Sequence, residues 1–133
     1  YACHRIAGEG GAVGPDLTSV GGKFGAHDLL ESIVDPAKEI SDQYGSSVFT
    51  TKDGTQLNGR IMNMRNNEYW VNTDMMKPST VTKVKAELIT SIEPSPISMM
   101  PPGLINTMNK EDILDLLAYL ISGGDRKHEL FDR

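Results

Sequence analysis

Within its 133 residues this sequence has one cysteine, one tryptophan and three histidines, and it has no long apolar run. Each scarcity excludes something. The single thiol, Cys3, cannot form an internal disulfide, so a packed core has to hold the fold. A zinc site needs about four ligands at set spacing. One cysteine with His4, His27 and His128 offers no such pattern. No stretch of ~18 apolar residues occurs, so no transmembrane helix is expected. Lysine and arginine number 13 against 18 aspartates and glutamates, a net charge of −5. That excess of acid argues against nucleic acid and anionic membrane surfaces as partners, and suits a basic partner or simple solubility. No signal peptide is visible. The chain opens on Tyr1 rather than Met, so it is expected to be a processed or partial product.

What is present is ordinary for a globular chain. Hydrophobic residues make up 38% and charged residues 23%, which excludes disorder as the default. The length suffices for one domain with a real core. We read a single domain over 1–133 in four parts: a first half at 1–43, a β insertion at 44–93, a loop with a C-terminal helix at 94–124, and a tail at 125–133. In the first part a short helical turn is expected at the N-terminus, then a loop with Gly8, Gly10, Gly11 and Gly14. A helix follows across "AHDLLESIVDP", where Leu29, Leu30, Ile33 and Val34 make one face. Asp35-Pro36 ends it, because the residue before proline avoids the α region.

The second part changes character. "SSVFTT", "QLNGRIMNM", "EYWVNT", "TVTKVK" and "LITSI" are short and rich in β-branched and aromatic residues, with Asp53-Gly54 and Asn66-Asn67 as turn signals. A meander of four or five antiparallel strands is expected, with Trp70, Met62 and Met64 in a core. The third part begins with the proline-rich "EPSPISMMPPGL" and continues as a helix across "NKEDILDLLAYLISGG". Asn109 is its expected N-cap, Asp112 completes a capping box, and Gly123-Gly124 stop it.

Cys3-His4 carries the chemistry. It has the form of the end of a Cys-x-x-Cys-His haem-attachment motif, whose first cysteine would stand one position before Tyr1. A covalent haem needs a thiol for a thioether bond and a histidine directly after it. It also needs an acceptor that orients the histidine, and a distal ligand on another segment. The stretch "GPDL" follows at the right distance and resembles the class I cytochrome c family. There the proline carbonyl accepts a hydrogen bond from the proximal histidine. The resemblance implies that Pro15 orients His4, that Leu17 lies against the haem, and that Lys23 stands where the family often has an arginine near a propionate. Lysine lacks arginine's fork, a departure from the pattern. "SMMPPGL" is similar to the family's methionine loop. Met99 and Met100 compete for the distal position, and Met100 is favoured because it directly precedes proline.

Over nearly its full length the sequence resembles a haem-binding domain found at the C-terminus of large secreted planctomycete and verrucomicrobial proteins. "LLESIVDPAKEISDQY", "TKDGTQLNGRI" and "SMMPPGLINTMNKEDILDLLAYL" are the strongest pieces. The resemblance implies a mainly α, cytochrome c-like core with an antiparallel β-meander insertion. It implies one covalently attached haem c, with His4 and Met100 as axial ligands and Cys3 as anchor. The function implied is one-electron transfer rather than catalysis, in the periplasm or outside the cell. The partner would be a redox protein or an attached catalytic domain. The rival reading is a non-haem binding or assembly module that uses the β insertion and keeps a degenerate haem site.

Overall fold

The computed structural model describes residues 2–132; the end residues of the expected 1–133 domain lie outside them. The elements in order are β1 (Arg5–Ile6), β2 (Glu9–Gly10), α1 (Ala26–Val34), β3 (Ser47–Thr51), β4 (Gln56–Arg65), β5 (Glu68–Asn72), β6 (Thr82–Lys85), β7 (Ile89–Pro94) and α2 (Lys110–Ile121). Two compact units result. One is Tyr1–Glu39 with Met100–Arg133, and the other is Ile40–Met99. The expected insertion at 44–93 falls inside the second unit.

The expectation of a mainly α cytochrome core is overturned. Strand accounts for 26% of the chain and helix, 3-10 turns included, for 23%, with a five-stranded and a two-stranded antiparallel sheet and two α-helices. The reason is local. The N-terminal segment forms a hairpin, not a helical turn, because Ala7 (φ 50°) and Gly8 (φ 83°) adopt left-handed backbone that a helix does not use. Much of the remaining first unit is loop. Glycine and proline leave room for helices of only 9 and 12 residues.

Those helices begin and end where their chemistry dictates. α1 stops at Asp35, whose φ of −127° and ψ of 73° leave the α region before Pro36. α2 starts at Asn109, whose side chain accepts from the Asp112 amide at 3.0 Å, while Asp112 accepts from the Asn109 amide at 3.0 Å. Such a cap contributes about 1 kcal/mol. The buried core of this unit is Ile6, Leu29, Leu117 and Leu120, with Leu17, Val20, Leu30, Ile33, Leu116 and Tyr119 packed partly against it.

In the second unit the strand order is β6-β5-β4-β3-β7. Four strands form a meander, but β7 does not pair with β6. It crosses over after the 3-10 turn at Ala86–Leu88 and pairs with β3, Phe49 opposite Ile92. Phe49 and Val71 are fully buried. They share a face with Tyr69, whose ring lies 5.6 Å from that of Phe49. Trp70 is not in this core. The alternation of β5 puts it on the opposite face, paired with Lys83, whose Nζ lies 4.4 Å from the indole centroid. Met62 and Met64 are also outside it, at 46% and 55% exposure. Β-branched and aromatic spacing located the strands, but it could not say which face of each was covered.

Candidate functional site

The candidate site is built from two short segments that run side by side. The Gly14 amide donates to the Cys3 carbonyl at 2.7 Å, and the Leu17 amide donates to the Arg5 carbonyl at 2.8 Å. Residues 3–5 are thereby tied to residues 14–17. Between these two bonds, His4 Nδ1 lies 2.8 Å from the Pro15 carbonyl oxygen. A carbonyl only accepts, so in the neutral ring Nδ1 carries the proton and Nε2 keeps its lone pair. The hydrogen bond therefore fixes the ring's direction and leaves the Nε2 lone pair available to a ligand.

Two glycines make that approach possible. A Cβ on Gly14 would stand 2.6 Å from His4 Cε1 and 2.8 Å from Nδ1. Any side chain there would collide with the imidazole. Gly10 has φ 113°, and a Cβ on it would strike the His4 carbonyl. Only glycine meets both conditions at that position.

A second clamp, which the sequence reading missed, holds the same loop. The Asp16 carboxylate accepts from the Thr18 amide at 2.8 Å and from the Thr18 hydroxyl. That hydroxyl oxygen in turn accepts from the Ala7 amide at 2.9 Å. The β1–β2 turn is thus tied to the "GPDL" segment. The signal was in the sequence, because Asp-x-Thr is a side-chain-to-backbone turn pattern. The Thr18 hydroxyl, then the Thr18 amide, hold the Asp16 carboxyl below the usual range.

Cys3, His4, Pro15 and Leu17 are brought together by this ladder. Cys3 is half-buried and free, and Leu17 packs against the core of its unit. Lys23 ends the 3-10 turn Val20–Gly22 and is exposed. Its ammonium makes no ion pair among the described residues, so nothing ties it to the ladder. Met100 is half-buried and belongs to the same compact unit as His4, whereas Met99 belongs to the other. The unit boundary falls between the two competing methionines.

The residues present fit a haem. The donor set is one oriented imidazole, one thioether and one thiol. Val20, Leu30, Ile33 and Leu116 are apolar and only partly buried, and Phe24 and Leu104 are about half exposed. Apolar side chains of this kind suit a flat macrocycle, and the glycine loop lets backbone approach His4 closely. Among the described residues no three His, Cys, Asp or Glu side chains gather as a metal site of their own. No helix among them is long and apolar enough to cross a membrane. No protein-family model matches the chain, and no curated protein matches it.

Proposed function

We propose that this chain is a mono-haem c-type domain that transfers single electrons. The observation that carries the reading is the 2.8 Å contact between His4 Nδ1 and the Pro15 carbonyl across eleven residues. It orients the one histidine that follows the one cysteine. In this reading Cys3 anchors the group by a thioether and His4 Nε2 is the proximal ligand. Met100 is the distal ligand, and Leu17 supplies apolar contact. A bound haem supplies a one-electron couple, and methionine ligation raises its potential.

The protein's own residues do the rest. Pro15 holds the imidazole in one tautomer and one orientation. Gly14 keeps the space beside it clear. The Asp16–Thr18 clamp holds the loop against the β1–β2 turn. His4 and Met100 would both be taken up in holding the group, and the chemistry the group would supply is a one-electron couple, so the role in this reading is electron transfer rather than substrate turnover. The same reading places the domain in the periplasm or outside the cell, working with a redox protein or with a catalytic domain on the same chain.

Protein matured with haem c should be red and, when reduced, should show a sharp low-spin spectrum. The oxidised form should show the weak sulfur-to-iron band near the red end. The pyridine haemochrome reports the attachment: one thioether leaves a free vinyl and moves the α band to the red of the two-thioether position. A colourless product under conditions that load a control cytochrome refutes the proposal.

A further inference from the structure

We propose that the second unit carries a binding site for a neutral, hydroxyl-rich ligand the size of one sugar ring. The site is a cavity of about 370 Å³ that lies wholly within that unit, between the residues leading into β3 and those at the end of β7. Its volume is at the lower end of the ~300–1,000 Å³ range of small-molecule pockets. A single ring fits within it.

The lining selects the chemistry. Ser46 and Ser95 are 4% and 7% exposed. The Ser46 hydroxyl donates to the Ile97 carbonyl at 3.2 Å. The Ser95 hydroxyl oxygen accepts twice, from Asn58 Nδ2 at 3.3 Å and from the Ile97 amide at 3.2 Å. With two acceptor positions filled, what remains of that group is its proton, and it has no acceptor among the described residues. A desolvated donor in a cavity wall is satisfied by an acceptor on the ligand. Asp42 contributes an exposed carboxylate to the same lining, and it makes no hydrogen bond within the protein among the described residues. It accepts. A ligand that offers an acceptor and a donor close together, as neighbouring hydroxyls do, meets both.

Charge narrows the class further. No lysine, arginine or histidine lines the cavity, and Asp42 repels anions, so phosphates and carboxylates are disfavoured. An ammonium ligand would pair with the Asp42 carboxylate but would leave the Ser95 proton without an acceptor, so only a ligand that also carries an acceptor satisfies both groups. Ile40, Ile92 and Pro94 supply the apolar lining against which the C–H face of a ring packs. The inference is independent of the haem reading, because every residue it uses lies between Ile40 and Met99.

The test is an amide-resolved NMR titration of the full chain with glucose, galactose and mannose in turn. Glucose 6-phosphate and choline serve as charged counterparts. The expected result is a saturable shift, with at least one neutral hexose, confined to the amides of residues 40–47 and 92–97. Asp42→Asn should weaken that binding by about five- to tenfold, as loss of a charge-assisted hydrogen bond implies. Asp42 is exposed and bonded to nothing in the protein, so this variant folds as the parent does. Ser95→Ala should abolish binding if it folds. No saturable shift at those amides with any of the three hexoses overturns the proposal. So does tighter binding of either charged counterpart, or unchanged hexose affinity in Asp42→Asn.

Discussion

Replacing Gly14 by alanine tests the geometry on which the site depends, and it does so without haem. The added methyl would stand 2.6 Å from His4 Cε1. Carbon atoms pack at ~3.5–4.0 Å, so the ring has to move by about 1 Å. The ring is pinned at 2.8 Å to the Pro15 carbonyl. A shift of that size away from Pro15 takes the contact to ~3.6 Å or beyond, which is no longer a hydrogen bond. The net loss of such a bond is about 0.5–1.5 kcal/mol, and a forced methyl in a packed site costs about 1–3 kcal/mol. The two overlap, because moving the ring relieves the clash. Gly-to-Ala substitution also restricts the unfolded chain, which returns ~0.4–1 kcal/mol. The net expectation is a destabilisation of about 1–2 kcal/mol. The control is Gly22→Ala, where a Cβ meets nothing within 4 Å and φ is not positive. It should be neutral or stabilising by up to ~1 kcal/mol. Thermal unfolding separates the two variants by several degrees, at about 2–8 °C per kcal/mol. Imidazole nitrogen shifts of His4 report whether the Nδ1 proton has lost its acceptor. If Gly14→Ala matches Gly22→Ala in stability and leaves the His4 shifts unmoved, the ring is not held as described.

Three further outcomes are expected. In haem-loaded protein, Met100→Ala should abolish the sulfur-to-iron band and lower the potential while Met99→Ala leaves both; the reverse pattern assigns the ligand to Met99. Asp16 is bonded in the folded state and its carboxyl is held below its ordinary value of 3.8. Its stabilising contribution is therefore present above that value and is lost as pH falls through the lower, folded-state one. In urea unfolding, the gap between the parent and Asp16→Asn should shrink from about pH 5 to about pH 2; a gap that stays constant removes Asp16 from the pH dependence. Replacing residues 40–99 by a short linker should leave haem attached through Cys3 and His4, because those residues form a compact unit of their own. Loss of haem on that deletion would make the β unit part of the pocket.

Local chemistry was legible in the sequence, and it located both helices. The Asn109–Asp112 capping box, the Asp35-Pro36 stop and the leucine spacing of α1 each act within a few residues, so a short window contains the cause. The strands were legible for the same reason. The candidate site was legible in part. Cys3-His4 and "GPDL" stand out as residues, but the Asp16–Thr18–Ala7 clamp was overlooked although its Asp-x-Thr signature is local.

What only the tertiary structure decided depends on partners far apart in the chain. The crossing of β7 to β3 joins residues more than forty positions apart, such as Phe49 and Ile92, and no local propensity encodes it. The face on which Trp70 lies follows from the register of β5 with β6, since a shift of one residue would exchange the two faces. The balance of helix and strand tips to strand because residues 40–99 form a five-stranded unit of their own, while positive φ at Ala7 and Gly8 turns the first segment into a hairpin. The sequence alone determined that an imidazole follows the only thiol and that a proline lies eleven residues on. The backbone pairing of residues 3–5 with 14–17 decided that the proline's carbonyl reaches the ring, because a hydrogen bond forms only when donor and acceptor atoms are held about 3 Å apart.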